Sequence, residues 1–213
     1  VVEVVAERGT PAAAARMHQI VKTLFSWAAN EEYLQVSPLA NYKLSKGLKR
    51  RPRERVLSAD EIRIFWSTVR HLESPFKEFY QLLLLTGQRR DEVAGMRSEE
   101  IDLEEKVWEL PPERNKSGRP HAVPLSKSVL EIVERLPQFS DPYLITTTCG
   151  EKPFCGFSKS KKRLDALLKA NAEELGLQGF NDPWRVHDLR RTVRTEMSRL
   201  RINETVAERV INH

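Results

Sequence analysis

His187 and Arg190 stand at i and i+3 in the run Val186-His187-Asp188-Leu189-Arg190-Arg191-Thr192. On a helix that spacing puts both side chains on one face. An imidazole beside a guanidinium suits a phosphate, whose charge must be neutralised and whose oxygens must be gripped. Alone the pair says little, because most such pairs decorate solvated helix faces. Three other stretches add residues of the same chemical kind. Thr86-Gly87-Gln88-Arg89-Arg90-Asp91-Glu92 brings an arginine and, one turn on, a carboxylate. Asn115-Lys116-Ser117-Gly118-Arg119-Pro120-His121-Ala122-Val123-Pro124-Leu125 brings a lysine in turn chemistry. Ile211-Asn212-His213 brings a second histidine.

In this order the stretches resemble the tyrosine recombinase (phage integrase) family. Its signature is T-G-x-R-x-x-E, a lysine in a β-hairpin, H-x-L-R, a histidine in a G-H or N-H pair, and a tyrosine. All but the tyrosine are present, and the resemblance runs from Val1 to His213. It implies strand cleavage through a 3′-phosphotyrosyl link that keeps the bond energy, so no ATP or other cofactor is required. The family's tyrosine is expected about nine residues past His213. Tyr33, Tyr42, Tyr80 and Tyr143 are wrongly placed to replace it and read as packing or interface residues. One departure is Ser98, where many relatives carry a tryptophan.

Phosphodiester cleavage needs charge stabilised on the non-bridging oxygens, a nucleophile, and a proton for the leaving oxygen. Arg89 and Arg190 are expected to hold the phosphate with forked donors. His187 and His213 are expected to donate hydrogen bonds or exchange a proton with the nucleophile. Lys116 is the expected general acid for the departing 5′ oxygen. Glu92 is expected to orient the basic cluster. Arg90 and Arg191 should point about 100° away, by helix geometry, to pair with acids or contact phosphates. There is no acidic ligand cluster in the sequence, so a metal is not implied.

The expected architecture is mainly α with a small antiparallel three-stranded β-sheet, an α+β fold of the recombinase catalytic type. Residues 1–46 read as the C-terminal part of a helical domain, which the resemblance matches to the core-binding domain that grips DNA. Thr10-Pro11 should open its long helix. Met17, Ile20, Val21, Leu24, Phe25 and Ala28 recur at helical spacing as a core stripe. Residues 47–56 read as a basic linker and residues 57–213 as the catalytic domain. The capping box Ser58-Ala59-Asp60-Glu61 opens its first helix. An apolar helix through Leu82–Leu85 should be buried all round and end at Gly87. Strands are expected at Ile101–Leu103, Val107–Leu110 and His121–Leu125. Later helices should turn Leu164, Leu167, Leu168 and Leu175 inward, then Leu189, Val193, Met197 and Leu200, then Val206, Val210 and Ile211.

Composition bounds the rest. The chain has 213 residues, 40% of them hydrophobic, enough for a core in one ordinary domain and a smaller one. It contains no apolar run long enough to span a membrane, and its start lacks a signal-peptide layout. Cys149 and Cys155 are its two cysteines, which gives no disulfide framework and suits a cytoplasmic protein; the resemblance implies a bacterial or phage-encoded one. The net charge is +5 and the pI about 9.3, compatible with a nucleic-acid partner. Lys49, Arg50, Arg51 and Arg53 crowd the linker, a composition shared by a solvated, flexible linker and by a segment lying on a phosphate backbone. The resemblance implies double-stranded DNA as the partner and a homotetramer on it. Two competing readings are a DNA-binding remnant or truncated module without catalysis, and a type IB topoisomerase. The recombinase-like linker and N-terminal helix argue against the latter.

Overall fold

The computed structural model describes residues 11–43 and 53–212. The chain divides into two compact units, Val1–Glu54 and Arg55–His213. In the first, helix α1 (Pro11–Asn30) is followed by turns. Thr10 lies outside the described residues. Only Ala14 and His18 of α1 are buried, with His18 stacked on Tyr42 at 5.3 Å between ring centroids. The stripe expected to be core is not buried: Ile20 and Leu24 are 59% and 55% exposed, and Met17, Val21, Phe25 and Ala28 are half-buried. Among the described residues of this unit there is no second helix to cover it.

The second unit has one contiguous core. Helix α2 (Ala59–Val69) starts at the expected capping box: Glu61 N–H donates to Ser58 Oγ at 3.2 Å, and Ser58 N–H donates to Glu61 Oε2 at 2.9 Å. Helix α3 (Phe76–Thr86) buries Phe79, Tyr80, Leu82 and Leu83. Its expected all-round burial fails at Leu85, which is exposed, and at Leu84, which is half-buried, because one flank of the helix meets solvent. Gly87 ends α3 in the left-handed conformation, φ +65°. The short helix α4 (Arg90–Ala94) follows.

Strands β1 (Ile101–Asp102), β2 (Val107–Leu110) and β3 (His121–Pro124) form a three-stranded antiparallel sheet in the order β1-β2-β3. Trp108 pairs with Val123 and Leu110 with His121. Arg114 ties the sheet to α4. Its guanidinium meets Glu100 and donates to the Glu92 carbonyl at 3.0 Å, and Glu100 in turn accepts from Trp108 Nε1 at 3.0 Å.

Helix α5 (Lys127–Glu134) packs on α3, and α6 (Phe157–Leu175) packs on α2. On α6 the buried seam is Leu164, Leu168 and Ala172, spaced by four. Leu167 and Leu175 sit on its flanks and are exposed, which corrects their assignment to the core. Helix α7 (Val186–Arg199) packs on α3, and α8 (Glu204–Val210) packs on α7. Leu200 is 74% exposed, because the helix ends at Arg199 and its periodicity stops there. Val206 is also exposed and Ala207 takes an inner position in its place, while Ile211 is buried as expected. Among the described residues no helix is long and apolar enough to cross a membrane.

Candidate active site

Arg89 follows the Gly87 turn and caps α4, so a buried helix end fixes its backbone. The Glu92 carboxylate, 3% exposed, holds it twice. Oε2 accepts from the Arg89 N–H at 2.9 Å and Oε1 from Nη1 at 2.8 Å. Nη2 donates to the Asn212 carbonyl at 2.8 Å. Arg190 projects from the buried side of α7. Its Nη1 donates to the Gly87 carbonyl at 2.9 Å, and its Nη2 to the Ile211 carbonyl. Gln88 completes the grip on the tail, donating from Nε2 to the Val210 carbonyl at 2.8 Å.

Three successive carbonyls, of Val210, Ile211 and Asn212, thus accept from Gln88, Arg190 and Arg89. Each arginine keeps further N–H donors beyond those used. Burial, and then repulsion from Arg89, lower the Arg190 pKa to about 10; Glu92 and Glu208 oppose the shift. Two guanidiniums are therefore held against their own repulsion. An anion between them relieves that cost, and phosphate matches their forked geometry.

His187 is exposed at the start of α7. Packing around it lowers its pKa first, and Arg190, Arg191 and Arg89 lower it further, against the pull of Asp188. It is therefore neutral at neutral pH, able to donate from one ring nitrogen and accept at the other. His187 and Arg89 line one cleft of about 480 Å³ with Arg90, Lys161, Trp184 and Arg185. Lys161 lies 4.0 Å from the centre of the Trp184 ring, and Arg90 lies 4.2 Å from that of Phe157. Arg90 also pairs with Asp91 at 2.9 Å. A larger cleft, about 580 Å³, is lined by Glu99, Glu100 and Glu109, carboxylates that repel a phosphodiester.

Lys116 is exposed in the turn between β2 and β3. Arg53 is half-buried. His213, Lys49, Arg50 and Arg51 lie outside the described residues. The structure thus brings together Arg89, Glu92, Arg190 and His187. Tyr80 is buried with its hydroxyl 2.9 Å from Ser160 Oγ, and burial pushes its pKa up to about 12. Tyr143 packs on Arg97, and Tyr33 on Trp27.

His121 was not singled out by spacing, yet it stands in the arginine field. Burial lowers its pKa first; Glu92 and a backbone hydrogen bond with Val210 pull it up, and Arg190 and Arg89 push it down. Strand alternation carries the clue, since His121 shares a face with the buried Val123 and Leu125. Gln88, Asn115 and Asn212 were likewise passed over as motif neighbours, although all three make contacts that shape the site.

The sequence profile of the phage integrase family matches residues 55–213. Prophage integrase IntZ of Escherichia coli K12 is 29% identical over 129 residues, covering 60% of this chain and 32% of that protein. Prophage integrase IntF of the same organism is 32% identical over 83 residues, 38% of this chain and 17% of that protein. The chain therefore spans a third or less of these relatives' length. Among solved structures, a lambda integrase tetramer bound to a Holliday junction superposes with a TM-score of 0.72 at 20% identity, over 100% of this chain and 61% of that one. The Tn1549 transposon integrase in complex with circular intermediate DNA gives 0.73 at 17% identity, over 100% and 75%. The latter two likenesses concern the fold. The match over most of the chain, on the unit that holds the arginine pair, places it in the phage integrase family of tyrosine recombinases.

Proposed function

We propose that this chain is part of a site-specific DNA recombinase that cleaves and rejoins strands through a 3′-phosphotyrosyl intermediate. The observation that carries the reading is the arginine pair. Arg89 and Arg190 are anchored at fixed points, repel one another, and retain donors for a tetrahedral anion. In this reading they stabilise charge on the scissile phosphate. Neutral His187 hydrogen-bonds a non-bridging oxygen or exchanges a proton with the nucleophile. His213 shares that role, Lys116 protonates the leaving 5′ oxygen, and Glu92 keeps Arg89 in place. The attacking tyrosine belongs to a segment beyond residue 213.

The domain assignment follows the same reading. Residues 1–46 belong to a core-binding domain, 47–56 form a basic linker contacting phosphates through Lys49, Arg50, Arg51 and Arg53, and 57–213 belong to the catalytic domain. Duplex DNA is the substrate, and four copies assemble on it. The structural relatives named above were solved on DNA, one of them as a tetramer on a Holliday junction. The chemistry needs no cofactor, since the covalent link conserves the bond energy.

The test is a nicked suicide substrate and the full-length protein. A covalent protein–DNA adduct should persist on a denaturing gel and map to a tyrosine past residue 213. Arg190→Ala should slow its formation by about two orders of magnitude. Specific DNA binding with no adduct on any site-bearing substrate would leave only a binding module.

A further inference from the structure

Asn212 adopts the left-handed conformation, φ +54°. Asparagine tolerates that region better than most residues. The turn aims its two polar groups at different elements. Its carbonyl receives Arg89 Nη2 at 2.8 Å. Its Nδ2 donates to Asn115 Oδ1 at 2.8 Å, across 97 residues of sequence.

Asn115 is itself 6% exposed and organises the turn that carries Lys116. Its Oδ1 accepts from the N–H and the hydroxyl of Ser117, both at 2.8 Å, and its Nδ2 donates to the Arg119 carbonyl at 2.6 Å. The Lys116 side chain is bracketed by these bonds but makes none of its own among the described residues. A lysine on such a turn has several rotatable bonds, so its placement depends on the backbone beneath it.

We propose that Asn212 is a positioning residue that fixes the Lys116 turn against the arginine pair. This rests on the recombinase reading of Lys116 as general acid. One side chain and one carbonyl of the same residue register the hairpin to Arg89. Loss of the carboxamide frees the turn and leaves the phosphate grip intact. Glycine at this position accepts the same backbone and keeps the carbonyl, so Asn212→Gly isolates the carboxamide.

Two measurements test it. First, trypsin should nick the folded chain after Lys116 about fivefold faster in Asn212→Gly, the change expected from one lost hydrogen bond. Asn212→Asp, nearly isosteric but unable to donate when ionised, should behave alike and decides the matter if the glycine variant does not fold. An unchanged nicking rate overturns the latch. Second, the full-length protein is assayed in single turnover on ordinary DNA and on DNA with sulfur at the 5′ bridging position, which leaves without a proton. Asn212→Gly should lose rate on the oxygen substrate and regain it on the sulfur one, as Lys116→Ala does. DNA affinity should stay unchanged. Equal losses on both substrates, with Lys116→Ala still rescued, overturn the assignment of Asn212 alone. A wild-type protein that cleaves neither substrate overturns the recombinase reading, and the catalytic role assigned here falls with it.

Discussion

Arg190 Nη1 donates to the carbonyl of Gly87 at 2.9 Å, although 103 residues separate them. The bond joins the left-handed turn after α3 to the buried side of α7. Its second prong reaches Ile211, so one guanidinium fixes the turn that launches Arg89 and the segment that leads to His213. A lysine ammonium is a point charge on a flexible stem and cannot hold both carbonyls in one plane. Arg190→Lys should therefore recover little of the activity lost in Arg190→Ala. Each should cost about 3 kcal/mol in the cleavage step, as loss of one oxyanion donor does. Leaving the Gly87 and Ile211 carbonyls unpaired should also lower stability by about 1–3 kcal/mol, read by denaturant melts. Full activity of Arg190→Lys in single-turnover cleavage would reduce the role of Arg190 to charge alone.

The parts of this site that lie within one helix turn were legible in the sequence. His187 and Arg190 share α7, and Glu92 reaches Arg89 because both lie at the start of α4. Gly87 marked the end of α3, since few other residues take its backbone angle. The Asn115–Asn212 and Gln88–Val210 bonds were not legible, because no local rule pairs residues so far apart. Periodicity also overextended the core. It put Leu167 and Leu200 inside, yet a helix on a small domain buries a narrow seam, and the flanks and ends stay wet. Conversely it missed Arg190 and Asp188 as buried groups, because hydrogen bonds and ion fields rather than hydropathy hold them there.

The basic linker proposed above would make DNA binding sensitive to salt. If Arg50, Arg51 and Arg53 each neutralise a phosphate, DNA binding releases the matching counterions. Replacing all three with alanine should lower the slope of log affinity against log salt by about 2–3. A titration by anisotropy with an unchanged slope would remove these residues from the interface.

His187 should titrate below the ordinary histidine value of 6.5, since partial desolvation by the packing around it and the neighbouring arginines disfavour its charged form, against the pull of Asp188. NMR of the ring protons should place the midpoint there, and Arg190→Ala should move it back up. The sign for stability follows from linkage. The unfolded chain takes the proton more readily, so the fold loses stability as pH falls below 6.5 and regains it above. His121, whose pKa is also lowered, adds to the same trend. A His187 midpoint at or above 6.5 would contradict the arginine field described here.

Gly87 and Gly118 separate backbone strain from close packing. Both have positive φ, +65° and +66°. A Cβ on Gly118 would meet nothing within 4 Å, whereas one on Gly87 would lie 2.9 Å from Val193 Cγ1 and 3.5 Å from Ile211 Cγ2. Gly118→Ala therefore costs only the left-handed penalty, about 1–2 kcal/mol. Gly87→Ala pays the same penalty plus overpacking against α7, about 1–3 kcal/mol more. Val193 is a stiff β-branched side chain, so relief must come from moving α7 or the tail. Either movement shifts the carbonyls that hold Arg190. Gly87→Ala should thus melt earlier than Gly118→Ala and bind DNA more weakly, and His187 should change its titration midpoint because its distance to Arg190 changes. Equal melting of the two variants would mean that α7 does not press on the turn, and the route by which Gly87 positions Arg190 would have to be abandoned.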